Sequence, residues 1–233
     1  LVASLRSTLY EVLDASLVIV SYNCISYLNG LFASLACCDP APREILVVDN
    51  GSADGSAAYV AQNFPQVHLL RMPENLGFGA ANNLAAQVAT GEYLVFLNPD
   101  TTVEPGWLEP LIQALVDHPE AGLVTPKILQ MDRPDVISAC GNEMHLTGLT
   151  LGRGMGKSRE TFDGIETVTA ISGAAFAVRK ECFQKLAGFD PSFFLYVEDS
   201  DLSLRSRLAG YRCLSIPQSV VYHDYTLSIS ARK

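Results

Sequence analysis

The sequence has few basic residues and no long apolar run. Its 233 residues include 16 Lys and Arg against 25 Asp and Glu, which gives a net charge of -9. A chain of this charge lacks the basic face that neutralises nucleic-acid phosphates, so we expect no nucleic-acid partner. An anionic ligand would need local help from a metal ion or from backbone N–H groups at helix starts. No apolar run approaches the ~18 residues of a membrane helix, and Asp14 interrupts the first candidate.

The six cysteines form no C-x-x-C pair, and no histidine lies at zinc-finger spacing from any of them. This pattern favours small buried thiols in a reducing compartment over a disulfide framework or a zinc site. We therefore expect a protein that works in the cytoplasm, either free or at the inner face of the membrane.

Short apolar runs alternate with helix-period stretches through the first hundred residues. The runs at 17–20, 45–48, 67–70 and 93–97 predict strands, and the stretches at 26–37, 53–63 and 79–89 predict helices. The strands are continuously apolar, which is typical of a parallel sheet covered on both faces. The sequence therefore predicts one α/β domain, whose ligands would bind at the carboxyl ends of the strands.

Polar residues follow three of these strands. They are Ser21, Tyr22 and Asn23 after the first, Asp49 after the second, and Asn98 and Asp100 after the fourth. Each group alone is also ordinary turn and cap chemistry. Together they point to a site, because the carboxyl ends of parallel strands meet at one edge. Asp100 is the clearest case, since a buried carboxylate needs a cleft, a cation or a cap.

The first strand–helix turn contains no glycine, so the G-x-G-x-x-G pattern of a dinucleotide-binding fold is absent there. Glycines appear instead after the third strand, at Gly77 and Gly79. They would let a helix start approach a ligand closely, with Asn75 and Asn82 as hydrogen-bonding groups. Simple packing of the helix start explains them equally well.

A second acidic cluster opens a helical pattern late in the chain. The helix dipole stabilises ionised Glu198, Asp199 and Asp201 there, as a general base requires. Asp201 is four residues from Arg205 and is expected to pair with it, which leaves Glu198 or Asp199 for chemistry. A purely capping cluster is the alternative. His223 follows the apolar run 219–222 and is either a metal ligand or a structural histidine, the latter favoured by the residues alone.

Five motifs, in order, resemble those of an inverting family 2 glycosyltransferase, closest to its rhamnosyltransferase-like branch. They are Val-Ser-Tyr-Asn at 20–23, Val-Val-Asp-Asn-Gly-Ser-Ala-Asp-Gly at 47–55, Glu-Asn-Leu-Gly-Phe-Gly-Ala-Ala-Asn-Asn at 74–83, Asn-Pro-Asp at 98–100 and Glu-Asp-Ser-Asp-Leu-Ser-Leu-Arg at 198–205. The resemblance spans residues 17 to about 228.

The resemblance implies a GT-A fold, with a Rossmann-like donor half (about 15–125) and an acceptor half (about 126–233) around one mixed sheet. It also implies that Asp49 contacts the nucleotide base and that Ser21, Tyr22 and Asn23 line that pocket. Asn75, Gly77 and Asn82 would belong to the same nucleotide-sugar site.

The resemblance implies a divalent cation, Mg2+ or Mn2+, that bridges the donor diphosphate. Asn98-Pro99-Asp100 occupies the family's Asp-x-Asp position, so Asp100 would bind the metal. Asn98 stands where the family has its first Asp, which removes one charge. The stretch from His223 to Ser228 has the His-x-x-x-x-Ser form that completes the metal site in some relatives.

Asp199 matches the family's proposed catalytic base. Gly173 and Glu198 would lie near the donor sugar and acceptor, although tight strand packing also explains Gly173. The implied reaction moves a sugar from dTDP-rhamnose or a UDP-sugar to a hydroxyl of a glycan or lipid-linked acceptor, in cell-surface polysaccharide synthesis. A non-catalytic sugar-nucleotide-binding module and a nucleotidyltransferase are the alternatives. We also expect the chain to be truncated at its C-terminus, with any peripheral membrane association made through absent segments.

Overall fold

The computed structural model describes residues 12–224. Within that range a first βα-rich part is followed by a part dominated by strands. The first part contains β1 (Leu13–Ser21), α1 (Ile25–Leu35), β2 (Pro42–Asp49), α2 (Ser56–Asn63), β3 (His68–Arg71), α3 (Phe78–Val88), β4 (Tyr93–Leu97), β5 (Thr101–Val103) and α4 (Leu108–Asp117). The second contains β6 (Ala121–Gln130), β7 (Ile137–Cys140), β8 (Asn142–Met144), β9 (Thr150–Gly152), β10 (Glu166–Val168), β11 (Ala175–Arg179), α5 (Lys180–Lys185), α6 (Glu198–Leu208) and β12 (Arg212–His223).

One mixed sheet runs through both parts, with the strand order β10-β12-β6-β11-β4-β1-β2-β3. The strands β3, β2, β1 and β4 are mutually parallel, as the continuous apolar runs predict. Strand β11 lies antiparallel between β4 and β6, and β6 pairs in parallel with β12. Strand β5 joins the sheet through β12, β7 through β6, and β8 and β9 form a separate hairpin. The prediction of a mixed central sheet is confirmed.

Both faces of β4, of most of β1 and of the last half of β2 are buried, which explains why these stretches are continuously apolar. Successive side chains of a strand point to opposite faces. Accordingly Leu17 and Ile19 of β1 pack in one core cluster with Trp107, whereas Val18 and Val20 pack in another with Phe96. The sheet is therefore a middle layer with a hydrophobic core on each side, and polar groups gather at the strand ends.

The bounds of the helices differ slightly from the predicted ones, and at the starts of α1 and α2 the Asp54 side chain satisfies backbone N–H groups. Helix α2 begins at Ser56 rather than at Ala53, since Oδ1 of Asp54 accepts a 2.9 Å hydrogen bond from the Ser56 N–H. Oδ2 of the same carboxylate accepts a 2.9 Å bond from the N–H of Ile25, the first residue of α1. One carboxylate thus satisfies an otherwise free N–H at the start of two helices.

Helix α6 carries three acids in its first turn and two arginines in its last. The predicted pair is present: Nε of Arg205 donates a 2.8 Å hydrogen bond to Oδ2 of Asp201. Arg205 also donates to the backbone carbonyls of Leu186 and Gly188. Asp201 is therefore structural, because it orients the arginine that fixes α6 against the turn after α5.

All six cysteines are free thiols, and four of them are buried as predicted, whereas Cys37 is exposed and Cys38 is partly buried. None of the helices formed between residues 12 and 224 is long and apolar enough to cross a membrane.

Candidate active site

A cavity of about 550 Å3 opens at the carboxyl ends of β1, β2 and β4, where the start of α6 closes its far side. Ten residues singled out from the sequence line it: Tyr22, Asn23, Asn75, Gly77, Asn98, Asp100, Gly173, Glu198, Asp199 and His223. The fold thus brings the strand ends of the first part and the acidic cluster of the second part to one space.

Asp199 lies in the first turn of α6 and is held by backbone donors. Its Oδ2 accepts a 2.9 Å hydrogen bond from the N–H of Gly173, and its Oδ1 accepts a 2.7 Å bond from the N–H of Ser200. Burial raises the pKa of Asp199, and these hydrogen bonds lower it only in part. The result is an oriented carboxylate with a greater affinity for a proton than an ordinary aspartate has.

Glu198 is buried beside Asp199, with 6% of its surface exposed, and it lines the same cavity. Burial, and to a smaller extent the neighbouring Asp199, raises the pKa of Glu198 to about 7. Its Oε2 accepts no hydrogen bond from any residue between 12 and 224. The cavity wall therefore contains an acid that can be protonated near neutral pH and that has hydrogen-bonding capacity to offer a ligand.

Asp100 and His223 meet on the other side of the cavity. Nε2 of His223 lies 3.2 Å from Oδ1 of Asp100, and both side chains are buried. The contact depends on a long-range pairing, in which β5 joins β12 antiparallel with His223 opposite Thr101. The backbone N–H of Asp224 then donates a 3.0 Å bond to the Asp100 carbonyl.

The Asp100–His223 pair suits a divalent cation by its chemistry. A carboxylate oxygen and an imidazole nitrogen are both ligands that Mn2+ accepts, and carboxylate suits Mg2+. Residues 12–224 contain no group of three or more His, Cys, Asp or Glu side chains able to hold a metal. Among residues 12–224, a cation here would therefore have these two side chains as its protein ligands. Ser228, the other member of the predicted His-x-x-x-x-Ser stretch, lies outside the described residues.

A network centred on Asn50 forms the wall at the β2 end. The Asn50 side chain donates to Oδ1 of Asn75 at 2.8 Å and to the carbonyl of Gly77 at 3.2 Å. Its own Oδ1 accepts a 3.0 Å bond from the N–H of Leu76. Asn50 lines the cavity and shapes the loop before α3, yet the sequence reading did not select it. Its place directly after Asp49 was the available signal.

Three selected residues do not line the cavity. Ser21 is buried at the end of β1 with its Oγ 3.0 Å from the Cys24 sulfur, and Asn82 is buried within α3, where it donates to the Phe78 carbonyl. Asp49 is buried at the end of β2, and its Oδ2 accepts a 3.4 Å bond from the Ser52 N–H. Its Oδ1 meets no hydrogen-bond partner within residues 12–224. Their roles in nucleotide binding stay predictions.

The segment 194–197 forms the rim between α3 and α6. Its backbone is bound to the start of α3 by a 2.9 Å hydrogen bond from the Phe78 N–H to the Phe194 carbonyl. Tyr196 and Val197 have positive φ angles of 70° and 74°, a conformation that is costly for a β-branched residue such as Val197. The sequence reading treated this segment only as an aromatic lead-in to the acids.

A family model described as "Glycosyl transferase family 2" matches residues 16–187. The chain is 30% identical over 228 residues to the N-acetylglucosaminyl-diphospho-decaprenol L-rhamnosyltransferase of Mycobacterium tuberculosis, which covers 88% of this chain and 74% of that protein.

Two solved structures share the architecture. GalNAc-T7, crystallised with UDP, GalNAc and Mn2+, superposes with a TM-score of 0.75 at 22% identity, over 96% of this chain and 47% of that one. The mannosyltransferase PcManGT of Pyrobaculum calidifontis, in complex with GDP-Man and Mn2+, has a TM-score of 0.67 at 21% identity, over 91% of this chain and 57% of that one. The chain thus spans about half of each of these proteins.

Proposed function

Because the chain belongs to glycosyl transferase family 2 and has the GT-A fold, we propose that it transfers a sugar from a nucleoside-diphosphate sugar to an acceptor hydroxyl, with inversion at the anomeric carbon. One observation carries the proposal. A single cavity has a carboxylate fixed by backbone donors, Asp199, on one side and the buried Asp100–His223 pair on another.

Asp199 acts as the general base. The carboxylate removes the proton of the acceptor hydroxyl as that oxygen bonds to the anomeric carbon, and the bond from this carbon to the diphosphate oxygen breaks with its electron pair. The raised pKa of Asp199, which burial causes, brings the base closer to the pH at which it works. The N–H groups of Gly173 and Ser200 hold the carboxylate in place. Each carboxylate oxygen keeps a further lone pair that can accept a proton. Attack from the face opposite the leaving group gives inversion.

Asp100 and His223 would hold a divalent cation, Mg2+ or Mn2+. When bound, such an ion neutralises the charge that builds on the departing nucleoside diphosphate. Asn98 lines the cavity beside Asp100 and offers an uncharged oxygen in place of a second carboxylate. The presence of Mn2+ in the GalNAc-T7 and PcManGT structures supports this assignment.

The donor nucleotide would lie against the ends of β1 and β2. Tyr22 and Asn23 line the cavity there, and Asn50 holds the loop that contains Asn75 and Gly77. We assign dTDP-rhamnose or a UDP-sugar as the donor. The rhamnosyltransferase relative favours the first and the UDP of GalNAc-T7 the second.

The acceptor would be a glycan or lipid-linked sugar, used in cell-surface polysaccharide synthesis. The name of the Mycobacterium tuberculosis relative, which includes a diphospho-decaprenol, supports a lipid-linked acceptor. Glu198 and Gly173 line the cavity with Asp199, and we assign them to the vicinity of the acceptor and the donor sugar. The six free thiols support a reducing compartment, so we assign the reaction to the cytoplasm.

The proposal is tested by product analysis with the purified chain. The chain is incubated with dTDP-rhamnose and with a panel of UDP-sugars in the presence of Mn2+, and the released nucleotide is identified. We expect nucleoside diphosphate from the wild type and very little from Asp199→Asn. Release of pyrophosphate would instead indicate a nucleotidyltransferase. Tight binding of a donor with no turnover in any condition would indicate a binding module.

A further inference from the structure

The rim of the cavity, residues 194–197, is a continuous run of large apolar side chains that solvent reaches. Phe194 and Val197 are 57% and 54% exposed, and Leu195 and Tyr196 are 44% and 41% exposed. All four side chains line the cavity. Single exposed apolar side chains are ordinary, but a continuous set inside a ligand cavity indicates a surface that a ligand covers.

The ring of Phe194 is held in place from one edge. The Phe194 carbonyl accepts a 2.9 Å hydrogen bond from the Phe78 N–H. Cδ2 of the ring lies 3.0 Å from the position that a Cβ on Gly77 would take, so this edge packs against the Gly77 backbone. The ring stacks on no other aromatic ring of residues 12–224. Phe194 therefore offers the cavity a positioned aromatic surface.

The rim runs directly into the candidate base. Tyr196 and Val197 both have positive φ angles, a strained arrangement of the kind that persists at functional sites. The Val197 carbonyl accepts a 2.8 Å hydrogen bond from the Asp201 N–H, which fixes the end of the rim to the first turn of α6. Asp199 lies in that turn, so the rim and the base adjoin each other along the cavity.

The other walls of the cavity already have assignments. The Asp100–His223 pair is assigned to the diphosphate, and the ends of β1 and β2 are assigned to the nucleotide. The acceptor hydroxyl must reach Asp199 to lose its proton, so the sugar ring that carries this hydroxyl must lie beside that residue. The rim is the unassigned surface that adjoins Asp199. Its assignment to the acceptor rests on the proposed function.

We propose that the rim is the acceptor subsite, in which Phe194 and Tyr196 stack on one face of a pyranose ring. A β-glucopyranoside carries its hydroxyls equatorially, so each face of its ring presents only C–H groups. Such a face is apolar, and its slightly positive hydrogens are attracted to the negative face of an aromatic ring. The hydroxyls at the edge of the sugar ring stay free to reach Asp199. The subsite therefore favours pyranosides of the gluco configuration.

Saturation-transfer difference NMR tests the proposal without any need for turnover. The purified chain, with Mn2+ and either UDP or dTDP present, is titrated with methyl β-D-glucopyranoside, with methyl N-acetyl-β-D-glucosaminide and with glucitol. Glucitol carries hydroxyls of the same kind but has no ring face. We expect a glycoside to bind with its strongest signals at the ring C–H protons, and glucitol not to bind.

Two variants of one residue separate the aromatic ring from its apolar bulk. Phe194→Leu keeps an apolar side chain without a ring and should weaken glycoside binding about threefold to tenfold. Phe194→Tyr keeps the ring and is the matched control, so it should bind the glycoside as the wild type does. Affinity for the nucleotide, measured on the same proteins, should not follow this difference. Thermal melting shows that both variants are folded.

The proposal is overturned if neither glycoside binds, if glucitol binds equally well, or if Phe194→Leu binds the glycoside as tightly as the wild type does. A loss of nucleotide affinity alone in Phe194→Leu would assign the ring to the nucleotide base and would overturn it too. Nucleotide release from the donor is measured separately. A chain that binds glycosides without turnover contradicts the proposed function alone, and a chain that turns over the donor without binding them contradicts the acceptor subsite alone.

Discussion

The backbone N–H of Gly173 donates a 2.9 Å hydrogen bond to Oδ2 of Asp199. The two residues come from different elements, one from the turn before β11 and the other from the first turn of α6. A Cβ at position 173 would lie 3.2 Å from both Cβ and Oδ2 of Asp199, which is tighter than ordinary contacts. The glycine therefore lets the backbone approach the carboxylate and hold it toward the cavity. The contact with Asp199 explains why residue 173 is a glycine.

The substitution Asp199→Asn should abolish turnover while leaving the fold intact. The amide keeps the shape of the side chain but cannot take the acceptor proton, so we expect kcat to fall by about 10²–10⁴-fold. Nucleotide release is the measurement, with donor affinity and melting temperature measured alongside. Asp201→Asn is the matched control, because Asp201 lies on the same helix but pairs with Arg205. If the two variants turned over equally fast, Asp199 would not be the base.

Glu198 should make the fold less stable as pH rises from about 5 to 8. Burial raises its pKa to about 7 in the folded chain, against 4.5 for an ordinary glutamate. The folded state therefore holds a proton that the unfolded state has released. The contribution of this proton to stability is complete below about pH 4.5 and is lost as pH rises through about 7. The loss is at most about 3 kcal/mol.

The variant Glu198→Gln isolates this effect, because glutamine keeps the neutral form at every pH. We expect the variant to gain in free energy of unfolding relative to the wild type as pH rises, measured by urea titration at pH 5, 6, 7 and 8. The exposed Glu160→Gln should instead change little. Parallel curves for wild type and Glu198→Gln across this range would show that Glu198 titrates like an ordinary glutamate.

The parallel half of the sheet could be predicted from the sequence, because short apolar runs followed by turn residues mark its strands. The strand 93–97 has the predicted bounds, since five consecutive apolar residues are buried on both faces and turn chemistry follows at once. The polar groups at the strand ends follow from the same topology. Six of the ten selected residues that line the cavity follow strands of this parallel half, and they are Tyr22, Asn23, Asn75, Gly77, Asn98 and Asp100.

What the sequence could not provide depends on contacts between distant parts of the chain. The approach of His223 to Asp100 requires β5 to pair with β12, and no local pattern specifies that pairing. The left-handed backbone of Val197 runs against the preference of a β-branched residue, so only its surroundings can impose it. Asn50 was missed because its hydrogen bonds reach a loop 25 residues away.

Removal of either Asp100 or His223 should weaken metal binding. In the presence of a nucleoside diphosphate, we expect Asp100→Asn and His223→Gln each to lower the affinity for Mn2+ by about 10–100-fold, because each removes one of the two ligands proposed here. Mn2+ titration followed by electron paramagnetic resonance measures this without any need for turnover. His118→Gln, at the exposed end of α4, is the matched control. If both variants bound Mn2+ as tightly as the wild type does, Asp100 and His223 would not be the metal ligands.

The last prediction concerns Gly77, which fits the rim segment against the start of α3. Gly77 has a φ of +84°, and a Cβ there would lie 2.5 Å from the carbonyl oxygen of Phe194, which is backbone and cannot rotate away. The matched control is Gly106→Ala, because Gly106 has a φ of +74° and nothing within 4 Å of its virtual Cβ.

Both substitutions should lose about 1–2 kcal/mol to the positive φ. Only Gly77→Ala must in addition displace Phe194, at a further cost of about 1–3 kcal/mol. The displaced rim leads directly into Glu198 and Asp199, so this variant should lose turnover as well as stability, whereas Gly106→Ala should lose stability alone. Urea unfolding and nucleotide release, measured on both proteins, separate the two effects. Equal losses of stability and turnover in the two variants would mean that segment 194–197 moves at little cost. The contact between Gly77 and Phe194 would then not position the base.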